Sequence, residues 1–185
     1  MAKSGSAHPT LTTKRLRLRR ITPGDLKGLH ACFGDAEAMR YWNAPMCKTE
    51  AESQRWLTHL AKTTSPYDYL GWAVAEKRSD RCVGMVNYHH RQTRNRKLEI
   101  GYIIAPAMQR RGLMTEAVAA LLAYCFGELA VNRVEALIHP DNTASIRLVE
   151  RLGFRCEGGP LRDYWRVGDT YVSVMMYSRL AGDPV

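Results

Sequence analysis

Residues 98–139 constrain this chain more than any other stretch. An apolar run, "LEIGYIIA" (98–105), stops at a proline, and "PAMQRRG" (106–112) leads into an apolar helical pattern. That pattern lasts about four turns and gives way to a second strand-like run, "RVEALIH" (133–139). Strand, helix and strand in that order form a crossover, which makes the two strands parallel neighbours with the helix packed on one face. Leu113, Ala117, Val118, Leu121, Leu122 and Cys125 spread so widely around the helix that it has to be well buried.

Everything around the crossover reads as local antiparallel pairing. "LGWAVAEK" (70–77), "CVGMVNYHH" (82–90) and 98–105 make successive hairpins, the second across "RQTRNRK". "FRCEGGPLRDYW" and "TYVSVMMYSRL" close the chain as a last antiparallel pair. Near the start, "TLTTKRLRLRRI" alternates, with Leu16 and Leu18 on one face and Arg15, Arg17 and Arg19 on the other, as one half-buried strand does. Two helices follow it. Thr22 caps the first, with Pro23 at N1, Asp25 at N3 and an apolar stripe of Leu26, Leu29 and Phe33. Thr49 caps the second, with Glu52 at N3 and Trp56, Leu57, Leu60 and Ala61 facing inward. "NTASIRLVERLG" adds a short helix after the second crossover strand. The expected class is α/β of the mixed α+β kind, a mostly antiparallel sheet with one parallel pair. No repeat or linker interrupts it, so residues 1–185 read as one domain. Residues 1–10 lack the apolar stretch of a signal peptide and read as a flexible tail.

Charge and cysteine usage narrow the setting. A formal charge of +9 and a pI near 9.5 imply an anionic partner; nucleic acid, a ribosome, a membrane surface and a phosphorylated cofactor all fit. No apolar run approaches the roughly 18 residues of a membrane span, so no membrane partner is expected. Cys32, Cys47, Cys82, Cys125 and Cys156 are odd in number and contain no Cys-x-x-Cys, which favours reduced thiols in a cytoplasmic protein. The six histidines show no metal-ligand spacing, so no metal is expected.

Two places carry candidate chemistry. A helix N-terminus offers unpaired N–H groups and about half a positive charge, and a pyrophosphate suits it. Gly112 lets a ligand approach the backbone there, and Gln109, Arg110 and Arg111 add donors and charge. An ordinary strand-to-helix turn with solvated arginines fits equally well. In "HPDNTASIRLVERLGF", Asn142 and Ser145 are three apart and project near one helix start, where a plain N-cap and first-turn residue would also stand.

"QRRGLMTEA" resembles the acetyl-CoA signature of the GNAT N-acetyltransferases, and "NTASIRLVERLGF" resembles their second conserved block. "TKRLRLRRITPGD" and "LEIGYIIAP" are similar to the RimJ/RimL-like branch, which acetylates ribosomal-protein N-termini; the resemblance runs from about residue 11 to 180 in family order. It implies a GNAT fold, with the central parallel pair splayed around the cofactor and helices on both faces. It also implies acetyl-CoA as co-substrate. Loop amides from Gln109, Arg110, Arg111, Gly112, Leu113 and Met114 to Thr115 would hold its pyrophosphate, with Asn142 and Ser145 nearby. Pantetheine would lie between the ends of 98–105 and 133–139, along the backbone at Ile103 and Ile104, with an N–H near Ile103 polarising the thioester carbonyl.

Two positions depart from the family pattern. Met114 stands where glycine or alanine is usual and has to turn into the core; Val149 stands where many members have a tyrosine acid. Ser145 matches the serine that the RimL-like branch is thought to use on the leaving thiolate, chiefly as a hydrogen-bond donor.

Strand parity places Glu99 with Gly101 and Ile103, beside the implied thioester, as the candidate base. A solvated carboxylate fits the same position, and ordered water helped by Tyr88, His89 or Glu135 is the other route to a base. Trp42 and Trp56 suit the core or an acceptor pocket, and "RQTRNRK" a solvated loop or a contact with substrate or RNA. The expected activity is direct acetyl transfer to a primary amine in a ternary complex. A protein N-terminal α-amine, with ribosome association, leads, and a small-molecule amine (amino acid, polyamine or antibiotic) is the alternative. From another class, a non-catalytic basic RNA- or CoA-binding module remains, and the assembly is a monomer or homodimer.

Overall fold

The computed structural model describes residues 8–63 and 68–184, together with the side chains of those residues except 59 and 61–63. The expected inward face of Ala61 and most of the expected N-terminal tail (1–7) lie outside what is described. Residues 8 and 9 are docked rather than loose. His8 Nε2 is 2.8 Å from Gly71 O, and Trp72 Nε1 donates to Pro9 O at 2.7 Å.

Eight strands form one sheet: β1 (Leu11–Thr12), β2 (Leu16–Arg19), β3 (Leu70–Glu76), β4 (Cys82–Gln92), β5 (Lys97–Ile104), β6 (Arg133–Ile138), β7 (Arg155–Val167) and β8 (Thr170–Leu180). Their order is β1-β2-β3-β4-β5-β6-β8-β7. All neighbours are antiparallel except β5 and β6. The helices are α1 (Leu26–Phe33), α2 (Ala36–Met39), α3 (Glu50–Thr63), α4 (Leu113–Gly127) and α5 (Thr143–Arg151). This is the GNAT fold.

Two expectations need correction at the N-terminal end. The single strand anticipated over "TLTTKRLRLRRI" is a hairpin, because the Thr13 N–H donates to Leu16 O and the Thr13 hydroxyl accepts from Leu16 N–H, which closes a turn between β1 and β2. The capped helix at Thr22 begins with a 3-10 turn, Pro23–Asp25, before α1. Asp25 makes that entry firm: it is 3% exposed and accepts from the Thr22 N–H, the Thr22 hydroxyl and both terminal nitrogens of Arg19.

Strand parity sorts the sheet into two faces. Trp72, Val86, Tyr88, Ile100 and Tyr102 share the face that carries α4, where Trp72 meets Tyr124 edge-on at 5.6 Å. Met85, Asn87, His89, Glu99, Gly101 and Ile103 share the other, beneath α3 and its neighbour α1. Helix α4 is buried along Leu113, Met114, Ala117, Val118, Leu121, Leu122 and Cys125. At roughly 1.5–3 kcal/mol for each large apolar side chain, that stripe locks the crossover to the sheet. Met114 is turned into the core as its position in the turn demands, leaving its backbone to face outward.

Candidate active site

The parallel pair is short. Lys97 lies beside Arg133, Leu98 beside Val134 and Glu99 beside Glu135, and pairing then stops while both strands continue. Beyond residue 99 the strands part. The residues below the fork are cross-linked: Glu135 accepts from Lys97 Nζ at 3.1 Å and from Arg133 Nε at 2.7 Å, and Arg133 also reaches Glu157. These bonds pair Glu135 with two cations.

Backbone polarity along the fork follows from register. Ala105 N–H donates to Val83 O at 2.9 Å and Ile104 lies opposite Gly84, so hydrogen-bonded pairs alternate from there. Ile103 and Gly101 therefore spend their N–H and C=O on β4. The groups of Ile100, Tyr102 and Ile104 face the gap instead. The donor anticipated near Ile103 thus falls on its neighbours, and Ile103 contributes a buried side chain.

At the wide end of β5 the chain turns through Pro106–Met108 into α4. Arg110 and Gly112 are both left-handed, with φ of 59° and 71°, and Gly112 is the N-cap. No residue but glycine adopts that conformation freely. A Cβ on Gly112 would meet only Arg15 Nη2, at 3.5 Å, so the space outside this turn is open. Arg110, Arg111 and Gly112 are exposed, Gln109 and Thr115 half-buried, and Leu113 and Met114 buried, so these last two offer a ligand only backbone. Glu116, an acid in the first turn, would oppose an anion. It is neutralised by Arg15 Nε at 2.6 Å and by the Thr13 hydroxyl, and Arg15 Nη1 also holds Arg111 O at 2.9 Å.

A cavity of about 340 Å³ runs through the fork. On the α4 face it meets Tyr102 and, from α5, Asn142 and Ser145; on the α3 face it meets Asn87, His89 and Glu99. Asn142 Oδ1 accepts from Ser145 N–H at 3.1 Å as the cap of α5. The Ser145 hydroxyl lies 2.5 Å from the Tyr102 hydroxyl. Burial pushes Tyr102 up to about 12, against the opposing pull of the Ser145 bond, so the phenol stays protonated. Val149, by contrast, is wholly buried and far from any acid role.

Glu99 is 12% exposed, with Oε1 3.1 Å from His89 Nε2 and Oε2 3.3 Å from His90 Nδ1. Burial works to raise its pKa, but the bonds and charge of His89 and then His90 outweigh it, holding the carboxyl below the ordinary carboxylate value and ionised at neutral pH. His89 Nδ1 is 2.9 Å from Asn87 Oδ1. Tyr88 points to the opposite face against Trp72, and burial raises its hydroxyl out of reach as a base. Trp42 and Trp56 line the cavity and also pack on Phe33, with centroids 6.1 and 4.2 Å away. Tyr41, Tyr69 and Trp165 complete an aromatic wall. Burial holds the thiols of Cys32, Cys82 and Cys125 well above their ordinary value, and no cysteine lines the cavity.

A forked sheet, an anion-ready turn and a through-going cavity define an acyl-CoA-dependent transferase. The Acetyltransferase (GNAT) domain family matches residues 15–155, and the chain belongs to that family. It is similar to YoaA of Bacillus subtilis (strain 168), an uncharacterized N-acetyltransferase, at 30% identity over 92% of this chain and 96% of that one. YdaF of the same organism, named provisionally as a ribosomal N-acetyltransferase, is 38% identical over 52% of each chain. Among solved structures, a spermidine N-acetyltransferase from Vibrio cholerae in complex with CoA and spermine superposes with a TM-score of 0.76 at 22% identity, over 92% of this chain and 98% of that one. The protein is an acetyl-CoA-dependent acetyltransferase. No helix among the described residues is long and apolar enough to cross a membrane.

Proposed function

We propose that the chain moves acetyl from acetyl-CoA directly to a primary amine in a ternary complex, and that the amine is a protein N-terminal α-amine of the ribosomal-protein kind. One observation carries the reading: a single cavity joins Ser145 and Tyr102 on one sheet face to Glu99 on the other. Thioester and amine then meet at the fork from opposite sides.

The turn fits acetyl-CoA. Amides from Gln109 to Thr115, with the Arg110 and Arg111 side chains, hold the diphosphate, and Gly112 supplies the close approach. Pantetheine pairs with backbone groups of Tyr102 and Ile104, one N–H of which polarises the thioester carbonyl. Glu99 accepts a proton as the amine nitrogen attacks the carbonyl carbon. The C–S bond breaks, and one hydroxyl of the bonded Ser145–Tyr102 pair donates to the departing sulfur while the other donates to its partner. No cysteine is placed for an acyl-enzyme.

Two features favour an α-amine. Deprotonating a group of pKa near 8 rather than 10.4 saves about 3 kcal/mol. Among the lining residues Glu99 is the only carboxylate, and two histidines already engage it, so a polycation such as a polyamine finds little to pair with. A net charge of +9 draws the enzyme toward ribosomal RNA, where basic N-termini are displayed. Labelled acetyl-CoA incubated with the enzyme and ribosome-containing extract tests this. Label on proteins, placed on the α-amine by mass spectrometry of the N-terminal peptides, supports it; label confined to small molecules overturns the protein acceptor.

A further inference from the structure

We propose that His89 Nε2, His90 Nδ1 and the Glu99 carboxylate form a binding site for a divalent transition-metal ion of the zinc class, at the α3-face mouth of the cavity. The expectation of no metal rested on linear spacing, which cannot register residues brought together across a hairpin. The three side chains converge with all their ligand atoms within 4.8 Å of one another.

The spacing suits a metal. Bonds of about 2.0–2.1 Å in a tetrahedron put adjacent ligand atoms about 3.3 Å apart. The nitrogen–oxygen separations are 3.1 Å from His89 Nε2 to Oε1 and 3.3 Å from His90 Nδ1 to Oε2, so each ring faces its own oxygen of the one carboxylate.

Hydrogen bonding points the same way. His89 Nδ1 faces the Asn87 amide oxygen at 2.9 Å, and an oxygen accepts, so Nδ1 carries the proton. The Nε2 atom on the other side of the ring is thereby turned on the Glu99 carboxylate at 3.1 Å, the place a shared cation would occupy. Asn87, 5% exposed, is the kind of outer partner that orients a ligating imidazole.

The backbone is bent to bring the pair together. Successive strand residues point to opposite faces. His90 departs from this with φ of 51°, at the irregularity between His89 and Gln92, and so reaches the same carboxylate as His89. His90 is 74% exposed and gives an ion its way in, while His89 and Glu99 line the cavity. Occupancy would take the Glu99 lone pairs and obstruct the amine. That consequence rests on the reading of Glu99 as base; the binding itself does not.

Calorimetric titration of chelator-treated protein with zinc chloride tests it. One site per chain is expected, with Kd on the order of micromolar, weakened at least tenfold by Glu99→Gln and by His90→Ala and unchanged by Cys156→Ser, which removes the exposed thiol. Circular dichroism checks that the variants fold. No saturable binding below millimolar zinc, or binding lost with Cys156→Ser and kept with His90→Ala, overturns the site. If the expected binding is found, zinc should also raise the acceptor KM without changing acetyl-CoA affinity. Binding that leaves turnover untouched upholds the site and counts against Glu99 as the base.

Discussion

The Tyr102 hydroxyl lies 2.5 Å from the Ser145 Oγ, joining the free end of β5 to the first turn of α5. The bond spans the α4-face side of the fork, where the proposed reaction places the departing sulfur. A serine is a weak acid, and burial makes this tyrosine a weaker one than usual. Their contribution is therefore donation of hydrogen bonds, not delivery of a proton well matched to a thiolate.

Ser145→Ala and Tyr102→Phe should each lower kcat by about 10–100-fold with little change in acetyl-CoA affinity. Because the two hydroxyls act through one bond, the double variant should lose far less than the product of the single losses. Rapid-mixing turnover with separate measurement of acetyl-CoA binding checks this. Multiplicative losses would mean that the groups work independently.

Glu99→Gln should depress kcat/KM most at low pH, where the acceptor ammonium still has to be deprotonated. The deficit should shrink as pH rises past the amine's own pKa, about 8 for an α-amine. The Glu99 carboxyl is held below its ordinary range, so it is ionised throughout a profile from pH 6 to 10 and its own titration adds no limb there. Measurement in chelator keeps metal out. A deficit uniform across pH would assign the proton to water.

Much of this site was legible in the chain, and the missing parts share one physical cause. The crossover, the buried α4 and the glycine turn announce themselves through local periodicity and turn chemistry, and parity alone put Glu99 on the face opposite Tyr102. The contacts 43 residues apart, Tyr102 to Ser145, depend on how far the fork opens. The closure of His89 and His90 on Glu99 depends on a left-handed residue inside a strand, which nothing in "NYHHRQ" signals. The Thr13 turn was hidden because its alternating flanks match an unbroken strand. A strand pattern tells which residues share a face; it does not tell where pairing stops.

Asp25 makes the acid stability of the entry to α1 predictable. Burial alone would raise its carboxyl, but Arg19 and Thr22 bring it below the ordinary value. A folded pKa beneath the unfolded one contributes stability that is fully present above the unfolded value and lost as pH falls through the folded one. Unfolding midpoints should therefore hold steady at neutral pH and fall steeply only in acid below about 4. Asp25→Asn should cost about 1–2 kcal/mol at pH 7, since it takes one charged partner from the half-buried Arg19 guanidinium, which keeps Asp80, and should flatten this part of the acid decline. Urea titrations of both proteins across pH 2–7 make the comparison.

Arg15 ties the first hairpin to the glycine turn proposed to hold acetyl-CoA, and its removal separates two effects. Arg15→Ala leaves Glu116 without its cation at the start of α4 and frees Arg111 O. A bare carboxylate in the first turn opposes the diphosphate, and at this half-exposed site the penalty is about 1 kcal/mol, or roughly fivefold in acetyl-CoA affinity. Adding Glu116→Gln removes the unpaired charge, so the double variant should bind acetyl-CoA more tightly than Arg15→Ala alone. Raising salt should narrow the gap between single and double variants, because screening weakens repulsion and leaves the lost hydrogen bond to Arg111 O untouched. If the double variant binds no better at low salt, Arg15 acts only by shaping the turn, and the charge of Glu116 is irrelevant to acetyl-CoA.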